Sequence, residues 1–194
     1  METDLNKLRK RAYSIANIHG FHEKEVSDET YLMLIITEIS EAVNADRKNH
    51  HAELYSFEKA KLDLIDTYPM EENRKRMVFN GLFEKAIKDS VEDELADVAI
   101  RLLDFAGARE VYDINIESFK QYYPHVRKRY TFAENCFQIT SYLTTDSIDV
   151  RKTVNMGLYD IIELCSFYSI DLFKFIDLKM RYNEFRQYKN GKEY

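Results

Sequence analysis

VEDELADVAIRLLDFA, residues 91–106, is the stretch on which the fold class turns. Ser90 stands before it as an N-cap, and Glu92 and Asp93 are placed where a helix N-terminus favours negative charge. Beyond that first turn the polar residues are Glu94, Asp97, Arg101 and Asp104, which at 100° per residue fall within a stripe of about 80°. Val98, Leu102 and Phe105 flank the stripe on one side, and Ala96, Ile100 and Leu103 on the other. Such a pattern predicts a buried helix carrying a narrow polar seam, ending at Gly107. YLMLIITEISEAV, residues 31–43, behaves alike: it is apolar on nearly every face yet carries Glu38 and Glu41.

Helical periodicity continues outward from these two stretches. It predicts a first helix over Asp4–Ile18 and a second from Ser27 or Asp28 to Arg47. Two more lie within Asn49–Asp89, broken near Thr67-Tyr68-Pro69, and further helices span Phe132–Leu143, Val150–Phe167 and Asp171–Tyr188. No strand run, repeat or linker is evident. Only five Gly and two Pro occur in 194 residues, whereas sheets and phosphate loops spend both on turns. The reading is one all-α helical domain.

Composition narrows the function classes. Hydrophobic residues at 45% suffice for a sizeable core. The longest wholly apolar stretch, Leu32–Ile36, is far below the roughly 20 residues of a membrane span. A net charge of −6 argues against broad nucleic-acid binding, and the basic patches ENRKR (72–76) and HVRKR (125–129) read as solvated surface. The N-terminal residues lack the apolar core of a secretory signal, and Cys136 and Cys165 fall in apolar helical patterns. A cytoplasmic protein with neither membrane nor nucleic-acid partner is expected.

Acidic residues three apart share a helix face, and eight such pairs occur where chance predicts roughly six. Spacing alone therefore says little; context singles out Glu38/Glu41 and Glu94/Asp97. A carboxylate among apolar neighbours costs several kcal/mol unless a positive charge compensates it. A buried salt bridge to Arg101 is one remedy, but one arginine cannot neutralise Glu38, Glu41, Glu94, Asp97 and Asp104 together. If the two helices face each other, a divalent cation is the other remedy, and oxygen-only ligands select Mg²⁺ or Mn²⁺ over zinc. Other chemistries lack their residues. No Glu-x-x-His precedes any of the five histidines, no Gly-x-x-x-x-Gly-Lys-Ser/Thr loop exists, no His-Asp dipeptide occurs, and His22-Glu23 lacks the second His of a zinc protease.

Glu38-Ile-Ser-Glu41 and Glu94-Leu-Ala-Asp97 resemble the ExxE…ExxD signature of MazG-like nucleotide pyrophosphohydrolases, the all-α NTP pyrophosphatases. The C-terminal KMRYNEFRQYKNGKEY (179–194) is similar to the end of a MazG-like subgroup, with Asn190 where that subgroup commonly has His. Together these motifs cover about a third of the chain. Fifty-two residues separate Glu41 from Glu94, more than compact members have, so 46–89 reads as an inserted helical pair.

The resemblance implies a helical bundle of the all-α NTP pyrophosphatase type that hydrolyses a nucleoside triphosphate to the monophosphate and pyrophosphate. Glu38, Glu41, Glu94 and Asp97 would hold Mg²⁺ (or Mn²⁺), with Asp104 a weaker candidate. Glu38 or Glu41 would orient the attacking water. Lys179 and Asn183 would face the substrate, joined by Arg186, which lies on the same face of the last helix, and by Lys189 and Lys192 as a basic rim. A homodimer or higher homo-oligomer is also implied. The alternative is a catalytically idle helical protein that binds nucleotide or a partner.

Overall fold

A computed structural model describes residues 4–121, 124–145 and 149–186. Among these residues there is no strand, and eight α-helices follow one another: α1 (Leu5–Ile18), α2 (Asp28–Arg47), α3 (Leu54–Lys61), α4 (Glu72–Ala86), α5 (Val91–Ala108), α6 (Phe132–Leu143), α7 (Val150–Phe167) and α8 (Leu172–Glu184). A π-helical turn, Leu62–Asp66, prolongs α3, and a 3₁₀ turn, Ile116–Phe119, interrupts the connection from α5 to α6. All of these α-helices but α3 and α4 start where a short polar side chain satisfies one of the first N–H groups. Ser27 accepts from Thr30, Ser90 from Asp93, and Asp171 from Lys174, while Thr131 and Glu134 form a reciprocal capping box. Each such cap stabilises its helix by about 1 kcal/mol.

The central element is α5, which packs against α1, α2, α7 and α8. Leu95, Val98, Leu102, Leu103 and Phe105 are wholly removed from solvent. Truncating one of them, Leu102→Ala for instance, would leave a cavity costing about 2–5 kcal/mol. Because partners surround α5 on several sides, its polar seam has no route to bulk water except between helices, and that geometry creates the site.

Gly107 does not end α5, contrary to the sequence expectation; the helix continues to Ala108 and is capped by Arg109. The glycine serves a close approach of helices instead. A Cβ at Gly107 would lie 2.6 Å from the Tyr13 Cβ on α1, well inside van der Waals contact. A further adjustment concerns the stretch read as an inserted pair. Its first residues, Asp46 and Arg47, belong to α2, and the remainder forms α3 and α4. Within this hairpin Phe57 of α3 meets Phe79 of α4 edge-on at 5.6 Å, and Phe83 pins it to α8 by stacking on Tyr182 at 4.5 Å. Tyr182 also donates to Glu84 (2.9 Å). The hairpin thereby fixes one side of α8, whose Lys179 and Asn183 line the site, with Arg186 just beyond the helix's end. Helix α8 ends at Glu184 with Phe185 as its C-cap, short of the expected Tyr188; residues 187–188 and the tail residues Lys189, Asn190 and Lys192 lie outside the described residues.

No helix among the described residues is long and apolar enough to cross a membrane. Cys136 and Cys165 are buried free thiols, and burial pushes Cys136 up to about 12.

Candidate metal centre

Packing of α2 on α5 brings the two acidic pairs to one cavity of about 320 Å³. Glu38 and Glu41, one turn apart on α2, meet Glu94 of α5 so closely that one carboxylate oxygen of each lies within 4.8 Å of the others. Glu38 and Glu94 are buried and Glu41 is open to solvent. Arg101, two turns along the seam from Glu94, reaches Glu38 Oε1 from its Nε at 2.5 Å. Neither Glu41 nor Glu94 has an ion-pair partner within salt-bridge distance among the described residues.

Electrostatics follow from that imbalance. Burial, then the neighbouring Asp97, pushes the Glu94 carboxyl up to about 8, against the pull of Lys179. Glu38 is raised too, by burial and by Asp97, with Arg101 opposing. Three converging carboxylates with one guanidinium between them repel, and the ordinary ways to relieve this are proton uptake or a cation.

Asp97 stands on the same cavity wall but outside this trio, because α8 supplies it with a partner. Lys179 Nζ lies 2.7 Å from Asp97 Oδ2 and 2.9 and 2.8 Å from the two oxygens of Asp93. Burial works against this ammonium, but Asp97 and Asp93 outweigh it and hold the lysine charged well above its usual range. Asn183, one turn further along α8, and Arg186, just beyond the helix's end at Glu184 and so not on the helical face that the spacing predicts, also line the cavity, and Arg186 donates weakly to Asn183 Oδ1 (3.5 Å).

Asp104, the remaining acid of the seam, is engaged at the other end of the cavity. His22 Nε2 lies 2.8 Å from Asp104 Oδ1, and His22 Nδ1 is 3.2 Å from the Tyr31 hydroxyl. The imidazole also stacks on Tyr13 (4.5 Å). Apolar side chains of α1 and α2, among them Ile15 and Leu34, complete that end. The structure thus brings Glu38, Glu41 and Glu94 together, sets Asp97 beside them on a lysine, and assigns Asp104 to a histidine.

Two participants escaped the sequence reading. The sequence gives Asp93 only a place at the helix N-terminus, yet it is 1% exposed and paired with Lys179. The available signal was its spacing of four from Asp97, which puts both on one face. His22 sits in the turn after α1, and no periodicity reports on which helix a turn residue will meet.

Compared with family models, with curated proteins and with solved structures, the chain matches none.

Proposed function

We propose that the protein is a Mg²⁺-dependent (or Mn²⁺-dependent) nucleoside triphosphate pyrophosphohydrolase of MazG-like character, releasing a nucleoside monophosphate and pyrophosphate. The observation that carries this reading is the convergence of Glu38, Glu41 and Glu94 in a cavity that Asn183 and Arg186 also line. The donor set fits a hard divalent ion, since it offers only carboxylate oxygens and leaves Glu41 and Glu94 without a cation of their own. Glu38, Glu41 and Glu94 would hold the ion, with Asp97 adjoining. When bound, it supplies the positive charge that lets a triphosphate approach an acidic nest and makes water more acidic.

The chain's own groups do the rest. Glu38 is fixed by Arg101, whereas Glu41 is solvent-open and unpaired; Glu41 is the better placed of the two to accept the proton of the attacking water. The water oxygen bonds to phosphorus, the bridge between the α and β phosphates breaks, and pyrophosphate leaves with the electron pair. Arg186 can fork two phosphate oxygens, and Asn183 can orient a phosphate or sugar oxygen without adding charge. The apolar end around Ile15 and Leu34 offers room for the base.

One observation favours the alternative of a nucleotide- or partner-binding protein without turnover: Arg101 and Lys179 already occupy two of the four signature carboxylates. Pyrophosphate release from a panel of standard and modified nucleotides, with Mg²⁺ and with EDTA, separates the two. Turnover only with metal is the expected result; no release from any nucleotide, or full release in EDTA, overturns the enzyme reading. The same proposal places the protein in the cytoplasm, in keeping with its two buried thiols, and makes it a homodimer. A light-scattering mass near 23.1 kDa across micromolar concentrations would contradict the dimer.

A further inference from the structure

Lys179 sits where the family resemblance implies a lysine facing phosphate, yet its surroundings are those of an internal counter-ion. An ammonium has three protons to donate. Here three carboxylate oxygens receive it: both oxygens of Asp93, at 2.9 and 2.8 Å, and Oδ2 of Asp97 at 2.7 Å. The lysine is 5% exposed and its Nζ lies 5.7 Å from the centre of the Phe83 ring, so water does not share the task. Asp93 is further tied by the Asp89 N–H (3.0 Å). Asp93 lies off the cavity wall while Asp97 lies on it.

We propose that Asp93 and Lys179 are positioning residues for the metal centre. Lys179 grips one oxygen of Asp97, and Asp93 cancels the lysine's charge so that Asp97 keeps its own for the cation. Lys179 thus acts on metal affinity and not as a phosphate ligand. The inference rests on the reading that the carboxylate nest holds a divalent ion. It adds two roles to that reading, one new (Asp93) and one reassigned (Lys179). The physical reason is charge arithmetic in a poorly screened place. Two carboxylates and one ammonium leave one negative charge, and it belongs to the group that faces the cavity. Remove Asp93, and Lys179 neutralises Asp97 instead. Remove both partners, and Asp97 faces the cation uncompensated; a buried pair taken out together is far better tolerated than half a pair.

Calorimetric titration of the metal-free protein with Mn²⁺ tests this without any turnover, with circular dichroism as the check of folding. Asp93→Asn should weaken Mn²⁺ binding about tenfold, the usual scale for a partner lying behind a metal ligand. The double variant Asp93→Asn/Lys179→Met should bind Mn²⁺ severalfold more tightly than wild type. A folded Asp93→Asn protein that binds Mn²⁺ like wild type overturns the proposal, because a merely structural pair would lower stability and leave the affinity of the folded protein alone. Should Asp93→Asn not fold, the double variant decides, and Mn²⁺ binding equal to or weaker than wild type overturns the proposal. A wild-type protein that takes up no Mn²⁺ overturns the metal reading as well, so the two failures are told apart by the first titration.

Discussion

Asp160 on α7 and Glu94 on α5 are both buried carboxylates on buried helices, and their surroundings differ in one respect. Asp160, wholly removed from solvent, is satisfied by the protein itself: Oδ1 accepts the His125 backbone N–H and Oδ2 lies on His125 Nδ1, each at 2.7 Å. The pair holds the segment before α6 against α7, and His125 stacks on Tyr142. Glu94 has no such partner and instead meets Glu38 and Glu41. A carboxylate compensated from within is architecture, whereas one left to repel its neighbours invites something from outside. The acidic pairs Asp160/Glu163 and Glu94/Asp97 share one spacing along the chain, and it is their partners in the fold that give them different fates.

The largest expected effect lies on the uncompensated side. Glu94→Gln or Glu38→Gln should lower metal-dependent pyrophosphate release about a hundredfold or more, with the fold intact by circular dichroism. Near-wild-type release from both would break the comparison at its root.

Within the compensated class, half of a buried pair is worth more than a surface contact. Lys179→Met by itself leaves Asp93 buried and unpaired, and should cost about 3–5 kcal/mol in urea unfolding. A loss within measurement error would show that Asp93 finds another partner.

The two carboxylates should then answer opposite ways to the same isosteric change. Asp160→Asn, which weakens two charge-assisted bonds, should destabilise the protein by about 1–3 kcal/mol. In metal-free protein Glu94→Gln should raise the melting temperature, since it removes a carboxyl that must either hold a charge near others of its own sign or take up a proton to avoid doing so. Equal signs for both variants would dissolve the distinction.

The smallest effect is a pH trend. Glu94 is raised from an ordinary 4.5 to about 8. Between those values the folded chain keeps a proton that the unfolded chain has released, so metal-free stability should fall as pH rises through this window. The melting temperature should decline by a few degrees, and both Glu94→Gln and saturating Mg²⁺ should flatten its slope. An unchanged slope in Glu94→Gln assigns the titration elsewhere.

Much of the fold was open to reading from residue order alone. Two of the expected spans, Phe132–Leu143 and Val150–Phe167, coincide with α6 and α7, because hydrophobic period and capping chemistry are local properties and short-range contacts settle them. The seam Glu94–Asp97–Arg101–Asp104 was legible for the same reason, being one face of one helix. Gly107 reads as a terminus along the chain because its reason for being glycine, the Tyr13 side chain, lies on another helix. Counter-ions were equally out of reach. Arg101 chose Glu38, Lys179 chose Asp93 with Asp97, His22 chose Asp104 and His125 chose Asp160. Each of those choices joins residues separated by 35 to 86 positions. Which buried charges are neutralised depends on distances across packed helices, a quantity that helical periodicity does not contain. The sequence determined which helix faces would carry carboxylates among apolar residues, and the tertiary structure alone decided which of them would be buried and which left unpaired.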